Sequence, residues 1–186
     1  MTITSALVSP LPDVDIPAVS LTEMLFGDLS DVDPEHPAMI EGLSGQTLRY
    51  GELAGMVSRF AAALAERGIR KGDLVAIFSP NNPYFAVVFH GIVAAGAVAT
   101  TINSLYTPDE IAHQLRDSRA VMLVTVSPFL DRARAAVASD GIDVRSIVVM
   151  DGTSDRAGGH ESLADLLATT AEPPRVQFDP AVDLAV

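Results

Sequence analysis

The sequence of 186 residues contains no cysteine and few basic residues. The absence of cysteine excludes disulfide bonds, thiolate nucleophiles and cysteine-ligated metals, and it agrees with a reducing compartment. Long hydrophobic runs are also missing, because Pro83, His90 and Gly91 interrupt the longest one before it reaches the roughly 18 apolar residues of a membrane helix. Residues 1–17 lack the basic start and continuous apolar core of a signal peptide. These absences predict a soluble, cytoplasmic protein.

Positive charge is scarce as well, since 12 lysine and arginine residues stand against 24 aspartate and glutamate residues, a formal net charge of -12. Nucleic-acid backbones and anionic membrane surfaces repel such a chain at long range, so neither is an expected partner. Acidity alone names no partner, because a net charge far from zero is also a common means of staying soluble. Hydrophobic residues make up 48% of the chain, which is enough to build a buried core at this length.

The N-terminal third has an irregular pattern. Residues 1–20 carry prolines and no clear period, so we predict an extended N-terminal arm there. A short helix is predicted over Leu21–Leu29 and a hairpin around Gly42–Gly45. A long helix is predicted over Gly51–Arg67, ended by Gly68, because its apolar residues recur on one helical face.

From Leu74 onward, apolar strands alternate with helices. The predicted strands are Leu74–Phe78, Ala97–Thr101, Val121–Val126 and Ser146–Met150, and the predicted helices are Tyr84–Ala95, Thr107–Asp117, Phe129–Ser139 and Ser162–Ala168. Thr107 and Glu110 have the spacing of a capping box at the start of their helix. Continuously apolar strands separated by helices predict an α/β fold, with a mostly parallel sheet and helices on both faces.

Several short motifs follow one another in a fixed order. They are Thr47-Leu-Arg-Tyr-Gly-Glu-Leu53, Gly68-Ile-Arg-Lys-Gly-Asp73, Ser79-Pro-Asn-Asn-Pro83, Gly91 with Gly96-Ala97, Thr100-Thr-Ile-Asn103 and Tyr106-Thr-Pro-Asp-Glu-Ile111. In this order and spacing they resemble the adenylate-forming family of acyl-CoA synthetases, luciferases and peptide-synthetase adenylation domains, most of all the 4-coumarate–CoA ligases. The resemblance covers residues 21–186, nearly the whole chain.

The resemblance implies a parent enzyme that is an acid–thiol ligase. Such enzymes use ATP and Mg²⁺ to convert a carboxylic acid into an acyl adenylate, and coenzyme A then takes the acyl group as a thioester. In the family, a Gly/Ser/Thr-rich phosphate loop follows an Asp-Leu-Ala-like segment, which Asp183-Leu-Ala185 resembles. Leu184–Val186 has the pattern of an apolar strand that is just beginning. We therefore expect the chain to stop before the phosphate loop.

This position of the chain within the family predicts its organisation. Residues 21–172 are expected to form the first α/β subdomain of an adenylate-forming enzyme, and residues 173–186 a linker and the start of the next, truncated subdomain. By the same resemblance, the residues that would bind the carboxylic acid lie beyond Val186. The chain alone is expected to be inactive, with no catalytic residue, no metal ligand and no bound ATP, Mg²⁺ or coenzyme A.

Glycine and histidine motifs offer little sign of a site. Gly91–Gly96 has half the spacing of a phosphate loop but no following lysine, which favours small residues for close helix–sheet packing. Gly152–Gly159 follows a strand, yet one acidic residue flanks it, another lies within it and it has no lysine, which favours a surface turn. The four histidines His36, His90, His113 and His160 lack metal-ligand spacing. A packed or hydrogen-bonded imidazole is the favoured interpretation of His90.

Polar residues follow two of the predicted strands. They are Asn81 and Asn82 after the first, and Thr101 and Asn103 at the end of the second. Because open α/β folds place ligands at the carboxyl ends of parallel strands, these four are the candidates for lining a substrate or coenzyme channel. Turn chemistry and packing against another subdomain are the alternatives.

Two other functional classes stay open. A naturally truncated, non-catalytic binding module would self-associate through exposed apolar surface, since large apolar patches rarely stay open to water. A free-standing nucleotide-binding domain is disfavoured, because no Gly-x-Gly-x-x-Gly follows any predicted strand. An aromatic propenoate, a medium-chain fatty acid and other carboxylates all remain open as the substrate.

Overall fold

Strands and helices alternate along most of the chain. The computed structural model describes residues 10–12, 14–155 and 157–186. In chain order the strands are β1 (Pro37–Ile40), β2 (Thr47–Arg49), β3 (Leu74–Phe78), β4 (Val98–Ile102), β5 (Met122–Thr125), β6 (Ser146–Val149) and β7 (His160–Ser162). The helices are α1 (Leu21–Phe26), α2 (Tyr50–Glu66), α3 (Pro83–Ala94), α4 (Pro108–Ser118), α5 (Leu130–Val137) and α6 (Leu163–Leu167). No helix in these described ranges is long and apolar enough to cross a membrane.

The central sheet contains strands β3 to β7 in the order β4-β3-β5-β6-β7, and every neighbouring pair is parallel. Strands β1 and β2 form a separate antiparallel hairpin. The arm predicted over residues 1–20 lies partly outside the described residues, and its described part contains no helix or strand. The predicted α/β class with a mostly parallel sheet is confirmed.

Helices cover both faces of the sheet. Successive residues of a strand point to opposite faces, and β3 divides its side chains accordingly. Val75 and Ile77 join a core built with α2, α3 and α6, whereas Ala76 and Phe78 join a core built with α4 and α5. Because the strands are apolar on both sides, each face excludes water only when a helix layer lies on it.

Capping explains where α4 begins. The Thr107 hydroxyl accepts the Glu110 N–H at 3.5 Å, and the Glu110 carboxylate accepts the Thr107 N–H at 2.8 Å, which confirms the predicted capping box. The backbone N–H and hydroxyl of Thr107 hold the pKa of Glu110 below its ordinary value. Gly68 ends the preceding long helix with a φ of 77°, a conformation that side chains other than glycine rarely adopt.

The structure corrects two predictions at short segments. Strand β7 was not predicted, and it follows directly after Gly152–Gly159, interpreted from the sequence as a surface turn only. Three residues are too few for a period of two to be recognised. Helix α1 ends at Phe26 and not at Leu29, because the Gly27 N–H closes the last turn on Glu23 and a turn follows in which the Asp28 carboxylate accepts the Ser30 N–H.

The segment 184–186 does not form a strand, although it runs beside one. The Ala99 N–H of edge strand β4 donates to the Ala185 carbonyl at 2.9 Å. Just before this contact, the Lys71 ammonium lies 2.7 Å from the Asp183 carboxylate and 2.8 Å from the Gln177 carbonyl oxygen. This hydrogen bond to Lys71 lowers the pKa of Asp183. Lys71 thus ties residues 177–183 to the start of the sheet.

Gly91 permits close packing between two helices. A Cβ atom added at Gly91 of α3 would lie 2.6 Å from Cδ1 of Phe60 on α2. The sequence predicts close packing of Gly91 against the sheet. In the structure Gly91 packs closely against a helix, α2, instead. Gly96 has a φ of 78°, as a residue following a helix often does.

Candidate functional site at the carboxyl edge of the sheet

The loops that follow β3, β4, β5 and β6 meet at one edge of the sheet, because the four strands are parallel. The loop after β3 contains Asn81 and Asn82, and β4 ends beside Asn103. Ser127 follows β5 and donates its N–H to the Asp151 carboxylate after β6 at 2.7 Å. Asn81 and Asn82 thus lie in a loop at this edge, whereas Thr101 is a residue of β4 and Asn103 follows that strand.

Both ends of the Asn82 carboxamide are hydrogen-bonded within the protein. Its Oδ1 accepts the Phe85 N–H at 3.2 Å and thereby caps α3. Its Nδ2 donates to the Ser79 hydroxyl at 2.9 Å and to the Pro80 carbonyl at 3.2 Å, and it contacts the Met150 sulfur at 3.8 Å. Asn82 therefore shapes the loop between β3 and α3. Asn81 is exposed next to it.

Turn and edge contacts use several of the polar groups at the end of β4. The Asn103 carboxamide oxygen accepts the Leu105 N–H at 3.0 Å, closing a turn. Thr101 is exposed on the edge strand, and its carbonyl accepts from the Gln114 amide at 3.0 Å. The same amide donates to the Thr100 hydroxyl at 3.1 Å. Asn103 therefore closes a turn with its side chain, whereas Thr101 contacts Gln114 through its backbone carbonyl.

Arg132, which is not among the residues predicted from the sequence, holds this edge together. Its guanidinium carbon lies 4.3 Å from the ring centre of Phe129 and 5.0 Å from that of Phe78. Its Nη1 donates to the carbonyls of Ser104 at 3.1 Å and Tyr106 at 3.0 Å. One cation thus joins α5, the end of β3 and the loop after β4. A single arginine on an amphipathic helix carries no sequence signal for such a role.

Two adjoining cavities open at this edge. One, of about 250 Å³, is lined by residues that follow β3, β5 and β6 and by the hairpin, among them Pro80, Tyr84, Met150 and Asp151. The other, of about 370 Å³, lies between the hairpin and Asn81. Both share Glu41, Asn82 and Pro83.

The lining of these two cavities is acidic or neutral. No lysine, arginine or histidine occurs among the described residues that line them. Glu41 is held ionised, because the Ser44 hydroxyl and the N–H groups of Ser44 and Leu43 hold its pKa below the ordinary value. The described ranges also contain no group of three histidine, aspartate or glutamate residues arranged to hold a metal. The absence of a cation in this acidic or neutral lining disfavours the phosphates of ATP or coenzyme A in these two cavities.

His90 is packed among aromatic rings. Its ring stands edge-on to Phe26 of α1 at 5.3 Å and to Phe89 at 5.2 Å between ring centres. Its Nδ1 is buried without a hydrogen-bond partner among the described residues, and burial lowers the pKa of His90. The imidazole is therefore neutral in the folded protein at neutral pH.

Acid is expected to destabilise the protein through His90. Because its pKa is lower when folded than when unfolded, the unfolded chain binds more protons as the pH falls below about 6.5. The contribution of His90 to the free energy of unfolding is complete above about pH 6.5. It is lost as the pH falls through the pKa that His90 has in the folded protein. The measurement is the free energy of unfolding against pH for the wild type and His90→Leu, which should show a flatter profile. His113→Leu, which removes an exposed imidazole, is the control, and superimposable His90→Leu and wild-type profiles would contradict this expectation.

Comparison with known proteins identifies the family. The family model described as AMP-binding enzyme matches residues 29–185. The chain belongs to this family. The 4-coumarate–CoA ligase 5 of Oryza sativa subsp. japonica is 34% identical over 176 residues, which are 94% of this chain and 31% of that protein. The 4-coumarate–CoA ligase 4 of Arabidopsis thaliana is 36% identical over 151 residues, 79% of this chain and 26% of that protein.

The solved structures agree with the fold of an AMP-binding enzyme. A long-chain-fatty-acid–CoA ligase (FadD1) from Archaeoglobus fulgidus matches with a TM-score of 0.80 over 94% of this chain and 35% of that one. At 21% identity, this likeness shows the fold alone. The chain thus spans between about a quarter and a third of the two curated relatives, 26% and 31% of their length.

Proposed function

We propose that this chain is the first α/β subdomain of an AMP-forming acyl- or aryl-CoA ligase of the 4-coumarate–CoA ligase type. The observation that supports the proposal most strongly is the match over residues 29–185 to AMP-binding enzymes, together with 34% identity to a 4-coumarate–CoA ligase over 94% of this chain. The parent enzyme would join a small carboxylic acid to coenzyme A through an acyl adenylate, with ATP and Mg²⁺. We place it in the cytoplasm.

We assign residues 21–172 to this subdomain, residues 1–20 to an arm and residues 173–186 to a linker that leads into the next subdomain. The role of this chain is to be a scaffold. The acidic lining of the two carboxyl-edge cavities and the internal use of the Asn82 amide support a chain without catalytic residues. Asn81 and Thr101, which are exposed, are available to contact the rest of the enzyme or its substrate.

Carboxylate-dependent exchange of pyrophosphate into ATP tests the proposal. The mass of the intact polypeptide from the source cell is measured first. That polypeptide and the 186-residue chain are then each assayed with 4-coumarate, octanoate and benzoate. We expect exchange only from a longer polypeptide. Exchange by the 186-residue chain alone would refute its inactivity. If the polypeptide in the source cell ends at Val186 and shows no exchange, the proposal that it belongs to a working CoA ligase is wrong.

A second candidate, a self-associating non-catalytic module, is supported by apolar side chains near edge strand β4. Val182, Leu184 and Val186 are 73%, 71% and 65% exposed. Light scattering over a range of protein concentrations decides this point. A clean monomer at the highest concentration would count against self-association, whereas a dimer disrupted by Leu184→Glu would favour it.

A further inference from the structure

The last part of the chain lies along the sheet without joining it as a strand. Residues 173–185, which we call the strap, contain no helix or strand and pass the residues that precede β3 and β4. None of the strap residues is fully buried. A segment with few buried apolar contacts and no secondary structure opens more readily than the fold as a whole. A small set of contacts therefore decides whether the strap stays closed.

One lysine holds the strap at two separate points. The Lys71 ammonium lies 2.7 Å from the Asp183 carboxylate and donates to the Gln177 carbonyl at 2.8 Å. The same carboxylate accepts the Asp179 N–H at 2.7 Å, so a turn within the strap directs Asp183 toward Lys71. The side chains of Lys71 and Asp183 are 45% and 24% exposed, so dissolved salt screens their attraction. Loss of the ammonium would free both points of the strap together.

Two further contacts join the strap to the residues around β4. A Val176 methyl carbon lies 2.8 Å from where a Cβ atom of Gly96 would stand, so it packs directly on the Gly96 backbone. The Ala99 N–H of edge strand β4 donates to the Ala185 carbonyl at 2.9 Å, the one backbone hydrogen bond between strap and sheet in the described ranges. An unpaired strand edge is a template for pairing with another chain, and a covering loop is one way to protect it.

We propose that the strap is a salt-sensitive cover of the β4 edge, which is closed while Lys71 binds Asp183 and opens as a unit when this ion pair is lost. Opening uncovers the Ala99 N–H. It also withdraws Val176 and Phe178 from the wall of a cavity of about 690 Å³ that the strap forms with α1 and α2. The proposal does not depend on the ligase activity, because it concerns a conformational equilibrium of this chain.

Hydrogen exchange of the 186-residue chain, followed at single amides by NMR, tests the proposal at Ala99. Lys71→Met removes the ammonium and retains the apolar stem. It should accelerate exchange at Ala99 about threefold, as expected for the loss of a partly exposed ion pair. Raising the salt concentration from about 0.1 M to about 1 M should accelerate exchange at Ala99 in the wild type, because it shortens the Debye length from about 10 to about 3 Å. The same salt should leave Lys71→Met unchanged.

The neighbouring arginine supplies the matched control. Arg70→Met removes an exposed cation whose side chain makes no ion pair among the described residues, so exchange at Ala99 should stay as in the wild type. Val176→Ala keeps every charge but removes the packing on Gly96. It should accelerate exchange at Ala99 as Lys71→Met does, and trypsin should cleave after the exposed Arg175 faster in both variants.

Three results would overturn the proposal. The first is exchange at Ala99 that is equally fast in Lys71→Met and Arg70→Met. The second is an acceleration that extends equally to the amide of Val124 in the middle of the sheet, because the variant then unfolds as a whole. The third is a salt dependence that persists in Lys71→Met. If Lys71→Met does not fold, Asp183→Asn, which removes the partner charge, decides the same question.

Discussion

Replacing Gly91 by alanine is expected to lower the free energy of unfolding by about 1–3 kcal/mol, the usual cost of overpacking a core. The added methyl carbon would stand 2.6 Å from Cδ1 and 3.0 Å from Cβ of Phe60. Phe60 is 0% exposed, so its ring has no open space into which it can turn. The two helices must separate or the ring must leave its preferred rotamer. Urea denaturation of the 186-residue chain measures the loss.

A second glycine in a helix provides the control for Gly91. The three atoms nearest to a Cβ at Gly55 of α2 all belong to the Arg59 guanidinium, the first at 3.3 Å, and that flexible side chain can move away. Gly55→Ala should therefore stabilise the protein by about 0.5–1 kcal/mol, because alanine loses less backbone entropy in a helix. The double variant Phe60→Leu/Gly91→Ala should lose less free energy of unfolding than the two single variants lose together. Destabilisation of the same size at both glycines would contradict the close contact of α2 and α3.

Replacing Arg132 by leucine is expected to cost about 2–3 kcal/mol and to loosen the loop after β4. Leucine retains an apolar body, but it loses two charge-assisted hydrogen bonds to carbonyls and the attraction to two rings, each worth about 0.5–3 kcal/mol and not additive. Hydrogen exchange should accelerate at the amides of Leu105 and Tyr106. Arg132→Lys should lose less, because it retains the charge but cannot reach both carbonyls and the rings in the same geometry.

Arg116 is the matched control for Arg132. Its guanidinium also donates to a backbone carbonyl, that of Asp140 at 3.0 and 3.2 Å, but it is exposed and no ring contact involves it among the described residues. Arg116→Leu should change the free energy of unfolding by less than about 1 kcal/mol, as is usual for surface polar contacts. If hydrogen exchange at the Leu105 amide is equally fast in Arg132→Leu and Arg116→Leu, Arg132 does not hold the loop after β4.

The fold was largely predictable because its elements depend on neighbours in the sequence. The capping box of Thr107 and Glu110 involves residues three apart, and the apolar strand at Leu74–Phe78 needs no knowledge of its partners. Strand β7 escaped prediction because it has only three residues and depends on pairing with β6. The carboxyl edge was placed correctly, since parallel strands deliver their loops to one side.

The sequence by itself therefore determined the α/β class, the alternation of strands and helices, the helix caps and the membership of the AMP-binding enzyme family. These features are set by residues within a few positions of one another, or by motifs in a fixed order. Only the tertiary structure decided that the Asn82 amide is turned inward and that Arg132 joins three elements. Only it decided that Gly91 lies against Phe60. The Asn82–Met150, Arg132–Ser104 and Gly91–Phe60 contacts join residues 68, 28 and 31 positions apart. Local propensity carries no information about which distant surfaces meet when the core excludes water.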